Sequence, residues 1–262
     1  MKTYTDQMGR RVHLPAPPVR IISLVPSQTE LLFALGLDEE VVGVTKFCIH
    51  PAEKVKTKTR VGGTKKFHFD RIEALRPDLI IGNKEENERA QIEALAEKYP
   101  VWMSDIYTLE DALDMIEKVG DLTGKSDRAC ALAADIKDRF DRLRPAAPPP
   151  TAAYFIWHKP DMVAGRDTFI HEMLLRAGFD NVFKDKARYP EVTPETLKAR
   201  NPDVILLSSE PFPFSEKYIP YFCQLCPQSV IKIVDGELFS WYGSRLLHAP
   251  AYFDRLRKEI SV

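Results

Sequence analysis

The chain has 262 residues, 44% of them hydrophobic and 29% charged, with a formal net charge of −1. That balance fits an ordinary globular protein and gives no electrostatic reason to expect nucleic acid or an acidic membrane as partner. The apolar runs at 79–81 and 204–207 fall far short of the roughly 20 residues that a membrane span needs.

The opening Met1-Lys2-Thr3-Tyr4-Thr5-Asp6-Gln7 leads into no apolar segment of the signal-peptide kind. A cytosolic chain is expected if Met1 is the native start, or else one whose leader has been removed. Arg20-Ile-Ile-Ser-Leu-Val25 suits a buried parallel strand. Pro26 ends it, and Ser27-Gln-Thr-Glu30 has capping-box spacing ahead of an apolar helix that Gly36 terminates. A strand is expected at 41–45 and a short helix at 70–75, stopped before Pro77. Strands follow at 79–82 and 101–103, with helices at 86–97 and 109–122. Residues 126–143 contain neither Gly nor Pro, and Ala131, Leu132, Ile136, Phe140 and Leu143 recur at helical spacing. Such a helix is roughly 27 Å long. The stiff run Pro145-Ala-Ala-Pro-Pro-Pro150 comes next. The alternation then restarts, with strand 152–157, helices 169–177 and 194–199, strands 204–208 and 231–234, and a last helix near 249–260.

This pattern implies an α/β protein: two Rossmann-like lobes with mainly parallel sheets, joined by one long interdomain helix. The N-terminal lobe is expected over 1–122, the helix and Pro-rich connector over 123–150, and the C-terminal lobe over 151–262. The halves also repeat. Asp70-Arg-Ile-Glu-Ala-Leu-Arg-Pro-Asp-Leu-Ile-Ile81 lies over Glu195-Thr-Leu-Lys-Ala-Arg-Asn-Pro-Asp-Val-Ile-Leu206 without a gap. Leu31-Leu-Phe-Ala-Leu-Gly-Leu-Asp38 lies over Leu174-Leu-Arg-Ala-Gly-Phe-Asp180 with one deletion. Duplicated lobes joined by one helix place a ligand cleft between them.

Aromatic residues stand just after the predicted strand ends, where α/β sheets build their sites. They are Phe47, Trp157, Trp241 and Tyr242, joined by Tyr189 ahead of the second acid motif. Such rings suit a flat, partly apolar ligand, with core packing as the alternative. Arg245 offers a bidentate grip on a carboxylate or phosphate, or else a surface ion pair with Glu237. Glu86 and Asn87 offer hydrogen bonds to ligand amides, or else cap a helix. Cys48, His50 and His68 come from neighbouring loops and are the candidate metal ligands, without fixed spacing to a fourth; His158 and His171 lie in the other half. Cys223 and Cys226 have redox spacing, but no second pair completes a thiolate metal site. There is no Gly-x-Ser-x-Gly elbow, Walker A loop or His-Glu-x-x-His. The only enzymatic pairing to weigh is Cys48 with His50.

Several stretches together resemble the ABC-transporter substrate-binding proteins with a helical backbone (class III), the family that includes vitamin B12-binding proteins and iron-siderophore receptors. They are Ile21-Ile-Ser-Leu-Val-Pro-Ser-Gln-Thr-Glu30, Val61-Gly-Gly-Thr64, residues 70–78 and Tyr189-Pro-Glu-Val-Thr-Pro-Glu195. Gly62-Gly-Thr-Lys65, Asn83-Lys-Glu-Glu-Asn87, Ser209-Glu-Pro-Phe-Pro-Phe214 and residues 235–245 look closest to the subgroup termed helical-backbone metal receptors. The resemblance implies a monomeric, periplasmic or cell-surface protein that is not an enzyme and carries no covalently bound cofactor. It would bind a metal chelate and deliver it to an ABC permease. Cobalamin or another corrinoid comes first as ligand, and a ferric siderophore or haem next. A cytosolic binder or sensor of a metal cofactor, and a cofactor-modifying enzyme, are the alternatives. The resemblance further implies that acids on the two lobes, Asp70 and Glu195, pair with arginines of the permease; both also sit where a helix dipole favours an acid. It places Phe47 and Tyr189 where relatives line the cobalamin site with aromatics. Thr64 stands where those relatives carry a tryptophan.

Overall fold

The computed structural model describes residues 2–144 and 148–260; part of the Pro-rich connector, 145–147, lies outside them. The chain divides into two compact units. The first runs to Ile106 and adds Glu110–Ile136 and Tyr242–Arg245; the second takes Tyr107–Leu109, Lys137–Trp241 and the residues from Leu246 onward.

The first unit opens with an antiparallel hairpin of β1 (Lys2–Thr5) and β2 (Arg11–Leu14). There follow β3 (Ile21–Ser23), α1 (Pro26–Ala34), β4 (Val41–Val44), α2 (Ala52–Val55), β5 (Thr59–Arg60) and α3 (Phe69–Leu75). Next come β6 (Leu79–Asn83), α4 (Arg89–Ala96), β7 (Val101–Ser104), α5 (Leu109–Thr123) and α6 (Ser126–Asp141). The strands from β3 to β7 form one parallel sheet in the order β5-β4-β3-β6-β7. Parallel pairs need helical crossovers, and those helices cover both faces. That is why β6 opens on the apolar run Leu79-Ile-Ile81 and is buried at every residue. Ile22, Leu24, Val61, Ile72, Ile80 and Val101 are part of this core.

Helix α6 passes from the first unit into the second, the division falling after Ile136. The second unit continues with β8 (Thr151–Trp157), β9 (Met162–Val163), α7 (Phe169–Arg176), β10 (Asp180–Asn181) and α8 (Pro194–Arg200). It ends with β11 (Val204–Ser208), α9 (Ile219–Leu225), β12 (Val230–Val234), α10 (Glu237–Ser240) and α11 (Ala249–Ile260). Its parallel order is β10-β8-β11-β12, with β9 antiparallel on β8. Two α/β units on mainly parallel sheets are thus as expected.

The duplication extends to backbone detail. Helices α3 and α8 each end on a left-handed residue, Arg76 at φ 45° and Asn201 at φ 46°. The next acid, Asp78 or Asp203, then caps the start of the neighbouring strand. Asp78 accepts from the Val19 and Arg20 amides at 2.8 and 2.9 Å, and Asp203 from the Thr151 amide at 2.8 Å. Helices α1 and α7 both close on glycine, Gly36 at φ 81° and Gly178 at φ 84°. In each, the residue after the glycine bonds back five positions, Leu37 to Leu32 and Phe179 to Leu174.

Two helix starts differ from expectation. Pro26 takes the first helical position, since its fixed φ suits it and no amide is lost there. Ser27 therefore lies inside α1, and no side chain caps it. Helix α4 begins at Arg89 rather than at 86, because Asn83 and Asn87 hold the preceding residues in a turn.

Candidate functional site

In the first unit the loops beyond the carboxyl ends of the strands are tied by buried polar groups. The Thr29 hydroxyl lies 2.9 Å from the Val25 carbonyl and 2.8 Å from Ser23 Oγ. The Cys48 sulfur is 3.0 Å from that hydroxyl and 3.2 Å from Thr45 Oγ1. Burial pushes the Cys48 thiol up, so it stays protonated. A buried, protonated thiol held between two hydroxyls is a poor nucleophile. His50 is half-buried, while His68 is exposed at the start of α3. Among the described residues no group of three His, Cys, Asp or Glu side chains is placed to hold a metal.

Asn87 is also redirected. It is buried, its Oδ1 accepts from the Asn83 amide at 2.9 Å, and its Nδ2 donates to Thr64 O at 3.0 Å and Leu24 O at 3.3 Å. It fastens three loops together and has no amide group left for a ligand. Thr64 and Glu86 are half-buried beside it. Phe47, beyond β4, is 49% exposed, with the Lys46 ammonium 4.9 Å from its ring centre.

Arg245 belongs to the first unit and its guanidinium is taken. Nε donates to Glu30 Oε2 at 2.9 Å and Nη2 to Oε1 at 2.7 Å. Glu30 is thus a bidentate partner of Arg245. Tyr242, in the same stretch, is only 7% exposed.

In the second unit, β8 ends on Trp157, which is 40% exposed and meets Phe212 edge-on at 5.6 Å. Behind it the His158 ring is enclosed by Phe212, Phe214, Tyr218 and Tyr221. His158 Nδ1 lies 2.5 Å from Asp161 Oδ1, and the Tyr221 hydroxyl donates to Asp161 Oδ2 at 3.1 Å. This cluster anchors the turn that carries Trp157. Tyr189 is half-buried under the Arg188 guanidinium, 5.4 Å from its ring centre. His171 sits on α7 near Asn181, at 3.2 Å. Cys226 is buried, Cys223 is exposed, and both are free thiols.

Trp241 is a packing residue: it is 7% exposed and its Nε1 donates to Glu210 Oε1 at 2.8 Å. Ser240 Oγ donates to the same oxygen at 2.7 Å. Burial pushes the Glu210 carboxyl above its ordinary 4.5, against the hydrogen bonds from Ser240 and Trp241. A carboxyl whose pKa is raised in the folded state contributes stability at low pH that is lost as pH rises through that raised value. Glu210→Gln retains an acceptor for both donors. From about pH 4 to about pH 7 the urea midpoint of the variant is therefore expected to rise relative to that of the wild type. An identical pH dependence in both would show that Glu210 ionises in the folded protein without cost.

Sequence reasoning passed over two features. One is the ring cluster of Phe212, Phe214, Tyr218 and Tyr221, whose trace was the aromatic-rich run 212–222. The other is a basic hollow in the first unit, whose trace was the Lys65-Lys66 pair.

The sequence profile of the periplasmic binding proteins matches residues 21–218. The chain belongs to this family. It is 29% identical over 243 residues to a vitamin B12-binding protein of Pectobacterium carotovorum, covering 89% of this chain and 86% of that one. It is also 29% identical over 216 residues to an uncharacterized ABC transporter substrate-binding lipoprotein of Bacillus subtilis, covering 78% and 68%. The periplasmic vitamin B12 binding protein BtuF of Vibrio cholerae shares the fold at a TM-score of 0.79 and 23% identity, over 94% of this chain and 99% of that one. A member of this family is a substrate-binding protein for transport rather than an enzyme, so the Cys48 and His50 pairing has no catalytic role to fill. Among the described residues no helix is long and apolar enough to cross a membrane.

Proposed function

We propose that this protein binds a metal chelate, a corrinoid before a ferric siderophore or haem, and presents it to the permease of an ABC importer. The observation that carries this reading is the pair of large exposed rings at the carboxyl ends of parallel strands, Phe47 after β4 and Trp157 at the end of β8. Binding proteins of α/β type place ligands at such ends, and an aromatic face gives a flat macrocycle a large contact area at small entropic cost. Relatives named as vitamin B12-binding proteins put the corrinoid first. On the first unit the proposed ligand-facing residues are Phe47, Thr64 and Glu86; on the second they are Trp157 and Tyr189.

The chain has three tryptophans, and Trp102 and Trp241 are buried. Fluorescence quenching on titration with cyanocobalamin is therefore expected to report mainly Trp157. Saturable binding at micromolar or tighter affinity, about −8 kcal/mol, is expected, and Trp157→Ala should weaken it about tenfold, or ~1.4 kcal/mol. If cyanocobalamin, cobinamide, ferric siderophores and haem all fail to bind, the chelate reading is sunk.

Docking falls to Asp70 and Glu195. Both stand in the first turns of the duplicated helices, and both are exposed. Glu195 is held below the usual carboxylate range by its own backbone amide and by Thr193, so it is charged at neutral pH. The double variant Asp70→Ala with Glu195→Ala should keep its chelate affinity and bind the cognate permease in liposomes at least tenfold more weakly, consistent with two ion pairs lost. Loss of chelate affinity instead would place these acids against the ligand.

A further inference from the structure

The loops after β4 and β5 enclose a hollow of about 610 Å³ lined by Lys46, Arg60, Lys65, Lys66, His68 and Arg71 together with Phe47 and Gly62–Thr64. No carboxylate lines it. The whole chain is close to neutral, at a net −1, so five permanent cations and a histidine here are a local concentration. Elsewhere basic side chains are commonly matched to acids, as in Lys54 with Asp38, Lys84 with Asp105 and Arg200 with Asp185. Among the described residues none of the six in the hollow is ion-paired.

Several of these cations are held in place by neutral carbonyls, which orient them without cancelling their charge. Arg60 Nη1 donates to Thr45 O at 2.8 Å and Cys48 O at 2.7 Å. Arg71 Nη1 donates to Arg60 O at 2.9 Å, and Lys65 Nζ to Glu85 O at 2.7 Å. The backbone is bare at Gly63, where an added Cβ would stand 3.4 Å from the Phe47 ring and 3.6 Å from Lys46 Cε. Like charges gathered without a counter-charge repel one another, and an anion entering the hollow relieves that repulsion. Guanidinium and ammonium groups are the natural partners of phosphate and carboxylate oxygens.

We infer that this hollow takes an oxyanion group, phosphate or carboxylate, carried by the ligand, with the Phe47 ring beside it for the ligand's apolar body. The inference rests on the chelate reading for the carrier of the anion, but not for the anion site itself. It divides chelates into those with a free anionic group and those without one.

The test uses the full chain in two arms. In the first, inorganic pyrophosphate and citrate are titrated and backbone amide signals followed by NMR. Saturable shifts at Gly62, Gly63, Lys65 and Lys66 are expected, weakened at least tenfold in K65Q/K66Q and by added salt. Both lysines are exposed, so the variant should melt as the wild type does; Arg71→Gln is an independent second variant. In the second arm, chelates are compared in pairs that differ in the anion: cyanocobalamin, with its phosphodiester, against cobinamide, and haemin against its dimethyl ester. K65Q/K66Q should weaken the member that carries the anionic group, in the pair that binds, by about tenfold and spare the member without it; which pair responds tells phosphate from carboxylate. No saturable shift with either probe, shifts unchanged in the variants, or equal weakening of both members of a pair overturns the inference. Chelate binding in a protein that ignores the anions leaves the proposed function standing and this inference fallen. Anion binding in a protein that takes no chelate does the reverse.

Discussion

Arg245→Met is expected to lower the unfolding free energy by about 2–4 kcal/mol while leaving chelate affinity near that of the wild type. The two N–H groups of Arg245 grip both oxygens of Glu30, a residue 215 positions away. The side chains are only 16% and 19% exposed. Removing the guanidinium strands a carboxylate on α1 with little water to replace its partner, which costs more than the pair itself contributes. The double variant Arg245→Met with Glu30→Gln removes both charges and should recover much of the loss. Urea unfolding of the two single variants and the double variant gives the coupling directly. If Arg245→Met instead keeps full stability and loses chelate affinity, Arg245 faces the ligand and the pair with Glu30 is incidental.

Phe222→Ala is expected to cost about 3–5 kcal/mol, the range for emptying a buried aromatic site. Phe222 is fully buried and packs edge-on against Phe155 at 4.7 Å, Tyr221 at 5.0 Å and Phe214 at 6.2 Å. Its neighbours in turn fix the turn that bears Trp157: Tyr221 bonds Asp161, Asp161 holds His158, and Phe212 meets Trp157. The cavity should therefore reach the proposed ligand-facing surface as well as the core. Chelate binding is expected to weaken about tenfold even where the variant is fully folded, through loss of preorganisation. Near-ultraviolet circular dichroism should lose signal from the ring cluster. Full chelate affinity in a folded Phe222→Ala protein would show that Trp157 is held by β8 alone.

The reading of the sequence succeeded where the physics is local. Buried parallel strands announce themselves as short apolar runs, and β6 and β11 were legible for that reason. Turn chemistry is equally local. Gly36 and Gly178 adopt the positive φ that glycine tolerates best, and the Pro-Asp steps at 77–78 and 202–203 follow left-handed helix ends in both units. The duplication followed from aligned residue types and now shows in matching caps at Asp78 and Asp203. Short pieces such as β5, β9 and β10 have two residues each, too few for any period to appear.

What each polar or aromatic side chain touches was decided only by the tertiary structure. Spacing put Trp241 just past a strand, which fits a ligand-facing ring and a packed one equally; its bond to Glu210 makes it the second. Asn87 stood at a helix start by sequence, yet its amide is taken up by Leu24 and Thr64, more than twenty positions back along the chain. Cys48 and His50 looked like near neighbours with shared chemistry, until Thr29 and Thr45 claimed the thiol and burial kept its proton on. The basic hollow joins residues of two loops that no local pattern links. Periodicity and turn preference are properties of adjacent residues, so one chain is enough to read them. Side-chain direction, burial and long-range partnership belong to the packed whole, and they separate a ring that binds from a ring that packs.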